Sequence, residues 1–389
     1  MPTTTDRSQI SLLRRDRKLR PDWLLLIAYV ALSALGLLMI YTASAPRLEA
    51  LDVSPTREVE QQAAFVLIGF MAFGVVSLIK VATLRPWVSA IYLGSVVTLI
   101  LVLSPLGSSV KGAQRWMQLG PIRFQPSEIA KLAVILALAA LLSAAARPMR
   151  WDRVMRAVVL VAVPAVLIFR QPDLGTMLAF GFIAGIMVFV AGATWRQMAA
   201  LTVAGVIGTV ALFQVGQIKE YQITRLTAFL DPVTDVLGAQ YNQLQSQVAI
   251  GTGGLFGKGL FNGTQTNLRF VPEQSSDFIF TAVGEQLGFV GSLLVLVLFG
   301  IVIWRVLVSA ANATDRFGRL IATGVAALLA FHVFVNVGMT IRLMPVTGLP
   351  LPFMSSGGTV YVMMSVALGL AHSIWMRRSA LPGERSAKV

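Results

Sequence analysis

The chain has 389 residues, 56% of them hydrophobic and only 13% charged, with 32 Lys and Arg against 18 Asp and Glu. A soluble domain carries roughly a quarter charged residues, so this composition excludes a water-soluble globular protein and points to lipid as the solvent. The absence of cysteine excludes disulfides, thiolate metal ligands and a cysteine nucleophile.

The first 22 residues form a basic tail carrying Arg7, Arg14, Arg15, Arg17, Lys18 and Arg20. The apolar run that follows is too long for a cleaved signal core and reads as a retained signal anchor. Stretches long enough to cross about 30 Å of hydrocarbon recur near 23–43, 62–80, 86–106, 129–146, 154–170, 174–193, 198–215, 278–304, 317–341 and 357–376. The expected fold is an all-α integral membrane protein of about ten transmembrane helices, forming one domain over 23–376, with a second basic tail at 377–389. Ten spans place both termini on one side. If that side is the cytoplasm, inner segments hold 20 Lys and Arg and outer segments 12, and most of the outer ones lie in long or amphipathic loops that the positive-inside rule discounts. Both termini are therefore expected in the cytoplasm, and the basic excess implies no nucleic-acid partner. Only Arg170-Gln171-Pro172-Asp173 separates the fifth and sixth spans; a single helix there would put the two ends on opposite sides.

Two outer loops are too long to be simple connectors. Residues 107–128 start at Gly107-Ser108-Ser109 and end at Gln125-Pro126-Ser127-Glu128, and the large fourth extracellular loop, 216–276, runs through Gln240, Gln243, Gln245 and Gln247 into glycines from Gly251 to Gly263. A third irregular stretch, Met344 to Gly358, holds Pro345, Pro350 and Pro352 just before the last span. Non-helical backbone near membrane depth is tolerated only where it is buried in protein or lines a cavity.

Charge inside a membrane is costly, so its depth marks where polar work is done. Lys111, Arg115, Arg123, Glu128, Lys131, Arg170, Asp173, Glu273, Asp277 and Arg342 gather at the outer ends and loops, whereas the deep interior holds little beyond Glu285, His332 and Asn336. That pattern suits a polar cavity opening outward better than a charged path across the membrane. Each residue also has a plainer reading. Glu128 and Lys131, three apart, make an interfacial ion pair with a snorkelling lysine. Ser275-Ser276-Asp277 and Asp173 suit helix caps, and Trp116 suits the aromatic belt. His332 and Asn336, four apart, suit a hydrogen bond to each other.

Five strings in order extend from the second outer loop to the last span: Gly112-Ala113-Gln114-Arg115-Trp116, Arg123-Phe124-Gln125-Pro126-Ser127-Glu128-Ile129-Ala130-Lys131, Gln171-Pro172-Asp173-Leu174-Gly175-Thr176, Pro272-Glu273-Gln274-Ser275-Ser276-Asp277-Phe278-Ile279-Phe280 and Pro350-Leu351-Pro352-Phe353-Met354-Ser355-Ser356-Gly357-Gly358. Together they resemble the SEDS family (shape, elongation, division and sporulation) of peptidoglycan glycosyltransferases. Gly263-Thr264-Gln265 before Leu268 is more similar to the elongation type, RodA, than to the division type, FtsW. Ser276 and Ser356 stand where the family more often has Thr and Tyr.

The resemblance implies polymerisation of lipid II into β-1,4 glycan at the outer face of the bacterial cytoplasmic membrane, with undecaprenyl diphosphate as leaving group. It implies Asp277 as the base, supported by Glu273. Arg123 and Lys131 would recognise the diphosphate, Glu128 would orient Lys131, and Trp116 would stack on a sugar or lipid neck; Asp173 joins the substrate-binding set. It also implies a class B penicillin-binding protein as partner. No acidic cluster with ligand spacing is visible, so no cofactor is expected with certainty; Asp277 could still anchor a divalent cation such as Mg or Mn jointly with the substrate. The alternatives are a lipid II flippase, which predicts a polar route to the cytoplasm, and a scaffold that only recruits cell-wall enzymes.

Overall fold

The computed structural model describes residues 19–110, 113–120, 122–214, 239–268 and 270–378. Most of the N-terminal tail, Lys111-Gly112, the first part of the fourth outer loop and the last residues of the C-terminal tail lie outside the described residues.

In chain order the described helices are α1 (Trp23–Glu49), α2 (Arg57–Leu78), α3 (Val88–Leu103), α4 (Pro126–Ser143), α5 (Trp151–Arg170), α6 (Leu174–Ala191), α7 (Trp195–Gln214), α8 (Ala239–Thr252), α9 (Thr264–Asn267), α10 (Ile279–Ala311), α11 (Arg316–Thr340) and α12 (Gly358–Met376). All but α8 and α9 lie over the ten expected spans. Eight of those ten are long and apolar enough to cross a membrane, α3 together with the 3-10 turn before it; α5 and α7 are the other two. In α5 the apolar run is diluted by Asp152, Arg153 and Arg156. The protein is a multi-pass membrane protein.

Burial separates the helices into two shells. In α4, α11 and α12, 78% of the apolar window is buried inside the protein, against 28% in α2 and α10. The outer shell turns large apolar side chains outward, including Leu67, Met71, Val75, Leu93, Val97, Leu293 and Trp304, which is stable only against lipid. The inner shell is therefore the place where a buried charge can be satisfied by protein.

The Arg170–Asp173 break makes two helices. Asp173 caps α6, its carboxylate accepting from Thr176 N at 3.2 Å, and Gln171 Nε2 donates to Leu99 O at 3.2 Å. At the other end of the bundle, Asp22 caps α1 and accepts Arg305 Nε of α10 at 2.8 Å, while its own N–H donates to His372 Nε2 of α12 at 3.1 Å. Arg305 lies over the Trp375 ring.

The membrane-spanning fold is helical as expected, and the loop at 107–128 adds a small sheet. Residues Gly107–Val110 (β1), Ala113–Leu119 (β2) and Ile122–Phe124 (β3) form an antiparallel sheet in the order β1-β2-β3, with Ser108 opposite Trp116 and Gln118 opposite Arg123. A ladder is how a non-helical stretch at the membrane face satisfies its own backbone, and strands of three to seven residues leave too short an alternation to stand out in sequence. Gly120, at φ 59, provides the left-handed residue in the β2–β3 turn, and Pro126 at the first turn of α4 fits the start of a helix.

Candidate active site

The start of α4 carries an ion pair buried in the inner shell. Lys131 Nζ lies 2.8 Å from Glu128 Oε1, and the two side chains are 1% and 3% exposed. The ion pair that the spacing suggested is formed, but the lysine is buried at 1% exposure rather than snorkelling. Lys131 Nζ is also 3.0 Å from His332 Nε2 of α11, and His332 Nδ1 is 3.2 Å from Pro350 O. Glu128 Oε2 and Ser127 Oγ are buried with no partner in the structure.

Asp277 lies in the turn before α10 and is partly exposed. The cap reading does not hold: α10 begins after Phe278, with no side-chain cap bond. The turn is instead organised around Glu273, whose carbonyl accepts from the N–H groups of Ser276, Asp277 and Phe278 at 3.2, 3.0 and 3.2 Å. Glu273 has φ 56 and an exposed side chain that accepts from Ser276 Oγ at 3.2 Å. The Met344–Gly358 stretch lies against this turn. Ser356 N donates to Ser275 O at 2.8 Å, and a Cβ at Gly348 would stand 3.5 Å from Asp277 Oδ2. Asn336 does not bond His332, as its spacing suggested. Its Nδ2 donates to Asp277 O at 2.8 Å and to Leu349 O at 2.7 Å.

Behind the Asp277 turn, α10 is broken at Gly288, with φ 66 and ψ −161. The glycine-rich segment fills the break. Lys258 and Gly259 N–H groups donate to the carbonyls of Glu285 and Gln286 at 3.0 and 3.1 Å, and Phe289 and Val290 N–H groups donate to those of Gly254 and Leu255 at 2.9 and 3.0 Å. Backbone groups freed by the break are thus satisfied within protein, as membrane depth requires. Glu285, fully buried, accepts from Lys258 Nζ at 3.2 Å, Gln265 N at 2.8 Å, and Thr266 N and Oγ1 at 2.9 and 2.7 Å. Thr266 Oγ1 accepts from Gln274 Nε2 at 2.8 Å, which links the loop to the Asp277 turn.

Trp116 and Arg123 lie on the sheet. Arg123 is exposed, and its carbonyl accepts from Thr359 Oγ1 of α12 at 3.4 Å. Asp173 is 4% exposed and its oxygens are engaged by Thr176, by Gln125 Nε2 at 3.4 Å and by Arg115 Nη1 at 3.9 Å. Its plain role as a cap is the one its contacts support. Arg115 also donates to the carbonyls of Gln171 and Pro172, fastening the sheet to the α5–α6 break.

The structure thus joins Glu128 and Lys131 directly and connects them through α11 to Asp277. Arg115, Glu285, His332 and Asn336, outside the substrate-binding set expected from sequence, hold the surrounding elements together. The signal for the last three was depth, since an ionisable or amide group in an apolar run marks a functional position. Two apolar grooves, one of 350 Å³ between α5, α6 and α7 and one of 620 Å³ between α6 and α7, carry no charged residue and lie toward Met198, the end of α6 opposite Asp173. Among the described residues no group of three or more His, Cys, Asp or Glu could hold a metal ion.

Residues 22–380 match the family model of FtsW, RodA and SpoVE, described as "Cell cycle protein". Peptidoglycan glycosyltransferase MrdB of Escherichia coli (strain K12) is 40% identical over 321 residues, covering 81% of this chain and 86% of MrdB. Among solved structures, a chain reported under "Structural coordination of polymerization and crosslinking by a peptidoglycan synthase complex" superposes with TM-score 0.76 at 31% identity, covering 92% of this chain and 98% of the other. Thermus thermophilus Rod shape determining protein RodA superposes with TM-score 0.68 at 28% identity, covering 93% and 99%.

Proposed function

The chain belongs to the SEDS family, that of FtsW, RodA and SpoVE, and from that premise we propose that it is a peptidoglycan glycosyltransferase that polymerises lipid II at the outer face of the bacterial cytoplasmic membrane, in the service of cell elongation. The observation that carries the chemistry is a cation, Lys131, buried beside Glu128 and linked through α11 to Asp277 in the turn before α10.

A β-1,4 linkage made from an α-linked donor requires one displacement with inversion. The acceptor oxygen bonds to the anomeric carbon as the bond from that carbon to the diphosphate oxygen breaks. Asp277 takes the acceptor hydroxyl proton, and the bonding pair leaves with undecaprenyl diphosphate. Negative charge then grows on the diphosphate, where preorganised cations lower the barrier. Arg123, exposed on β3, offers a planar fork suited to phosphate oxygens. Lys131 contributes a charge from below, one N–H remaining after Glu128 and His332 have each taken one. Trp116 lies one strand away to stack on a sugar or lipid neck, and Glu273 supports the Asp277 turn through its carbonyl. A divalent cation would need the substrate diphosphate as co-ligand with Asp277, because the described residues offer no cage of their own. The transpeptidase partner proposed is a class B penicillin-binding protein, in keeping with the complex of coupled polymerisation and crosslinking that this fold matches.

Transport of lipid II is disfavoured by what lies inward of Lys131 and His332. From Leu132 to Leu142 on α4 every residue is apolar, and from Leu320 to Phe331 on α11 only Thr323 is polar. The test is polymerisation of purified lipid II by the detergent-solubilised protein, with and without a fused class B partner. Glycan that forms with wild type and disappears with folded Asp277→Ala and Asp277→Asn supports the assignment. Absence of polymer even with a cognate partner, together with lipid II exchange between leaflets of reconstituted vesicles, replaces it with the flippase.

A further inference from the structure

We propose that His332 and Asn336 are positioning residues that fix the separation between Lys131 and Asp277, using the Leu349–Pro350 backbone as a brace; this rests on the roles just assigned to Lys131 and Asp277. Both side chains are fully buried on α11, four residues apart and so one turn from each other. Asn336 has two amide hydrogens, and both are used, by Asp277 O at 2.8 Å and Leu349 O at 2.7 Å. His332 completes the same construction one residue further along the chain, at Pro350 O.

The tautomer of His332 follows from its two neighbours. Pro350 O can only accept, so the proton is on Nδ1; the Lys131 ammonium can only donate, so Nε2 presents a lone pair. The ring is therefore neutral, and it accepts from the ammonium that Glu128 also holds. Adjacent carbonyls, Leu349 and Pro350, thus receive one donor from the residue holding Asp277 and one from the residue holding Lys131. Pro350 stiffens the brace, since its ring fixes φ and removes an N–H that would otherwise need a partner. In an inverting displacement the base and the stabilised leaving group must stand on opposite sides of the reacting carbon. Small errors in that spacing reduce rate steeply.

The chain has two histidines, so protein labelled with 15N-histidine gives four ring-nitrogen signals, assignable with His332→Gln. The expected spectrum shows His332 Nδ1 protonated and Nε2 unprotonated, with Nε2 shifting in Lys131→Met. A protonated Nε2, or one indifferent to Lys131→Met, overturns the proposal. In lipid II polymerisation, His332→Leu is expected to lower kcat roughly 10- to 100-fold, the size of one lost hydrogen bond to a charged group, with KM changed far less. His332→Gln, which can accept from Lys131 and donate to Pro350, restores most of the rate. Wild-type kcat in folded His332→Leu, with Asp277→Asn inactive, overturns the brace alone; wild-type activity in Asp277→Asn overturns the assignment of the base instead.

Discussion

Lys131 and Glu128 allow stability and activity to be separated in one experiment. Replacing Lys131 by Met keeps the volume and removes the ammonium from a position 1% exposed, leaving Glu128, 3% exposed, as a buried carboxylate. Breaking a buried pair from one side costs about 3–5 kcal/mol, because the remaining charge has lost both water and partner. Here Glu128 Oε2 already lacks a hydrogen bond, so no second contact softens the loss and the upper part of that range is expected. Replacing the pair together, Lys131→Met with Glu128→Leu, removes both charges and brings stability back to within about 1 kcal/mol of wild type or above it, since well-packed apolar replacements of buried pairs are often neutral or stabilising. Thermal unfolding in detergent reads the first quantity and lipid II polymerisation the second. The single variant is expected to melt early and the double variant to melt like wild type, with both inactive. A double variant that stays as unstable as the single one refutes the desolvation argument, and one that polymerises refutes the role of Lys131 in diphosphate recognition.

Substitutions at Gly288, Arg123 and Asp173 test the surrounding framework. Gly288→Ala places a methyl on the backbone of Gly257 and Leu255 at φ 66, a strain alone of about 1–3 kcal/mol, and is expected to lower the melting temperature in detergent, whereas Gly74→Ala, in open space on α2, leaves it unchanged. Arg123→Ala is expected to leave melting unchanged, because the side chain is exposed, while reducing kcat/KM about tenfold or more; Arg123→Lys recovers only part, for want of the fork. Asp173→Ala removes the α6 cap, costing about 0.5–2 kcal/mol, and Asp173→Asn retains most of it; activity measured per folded molecule is expected to be the same in both, and a large loss specific to Asp173→Asn would restore the carboxylate to the substrate site.

The helices were legible because the membrane imposes one length on each, and α1 to α7 and α10 to α12 all lie over the apolar runs that announced them. The sheet was not, since its longest strand has seven residues and its pairing depends on contacts across a turn rather than on a local period. Asp173 carries two readings at once: Asp173-Leu174-Gly175-Thr176 suits a cap as well as a substrate ligand, and its bonds to Thr176 make it the α6 cap. His332 was visible as a polar residue in an apolar helix, yet its partners, Lys131 and Pro350, lie 201 and 18 residues away in sequence. Spacing within one helix could only suggest Asn336.

The break at Gly288 divides α10 between two environments. As an unbroken rod its 33 residues would measure about 50 Å, well beyond the roughly 30 Å of hydrocarbon. The stretch after the break, residues 289–311, is about 34 Å long at the usual rise per residue and can cross the bilayer by itself. It also carries the outward-facing Phe289, Leu293, Val297 and Trp304. A change in bilayer thickness acts on a helix by tilting it, and at the break this rod is held by the bonds of Phe289 and Val290 to Gly254 and Leu255. The outer segment, held at Glu285 and Gln286 by the glycine-rich loop, takes its position from protein. The turn that carries Asp277 thus rests on backbone bonded to protein on both sides of the break, while the lipid meets only the apolar rod beyond it.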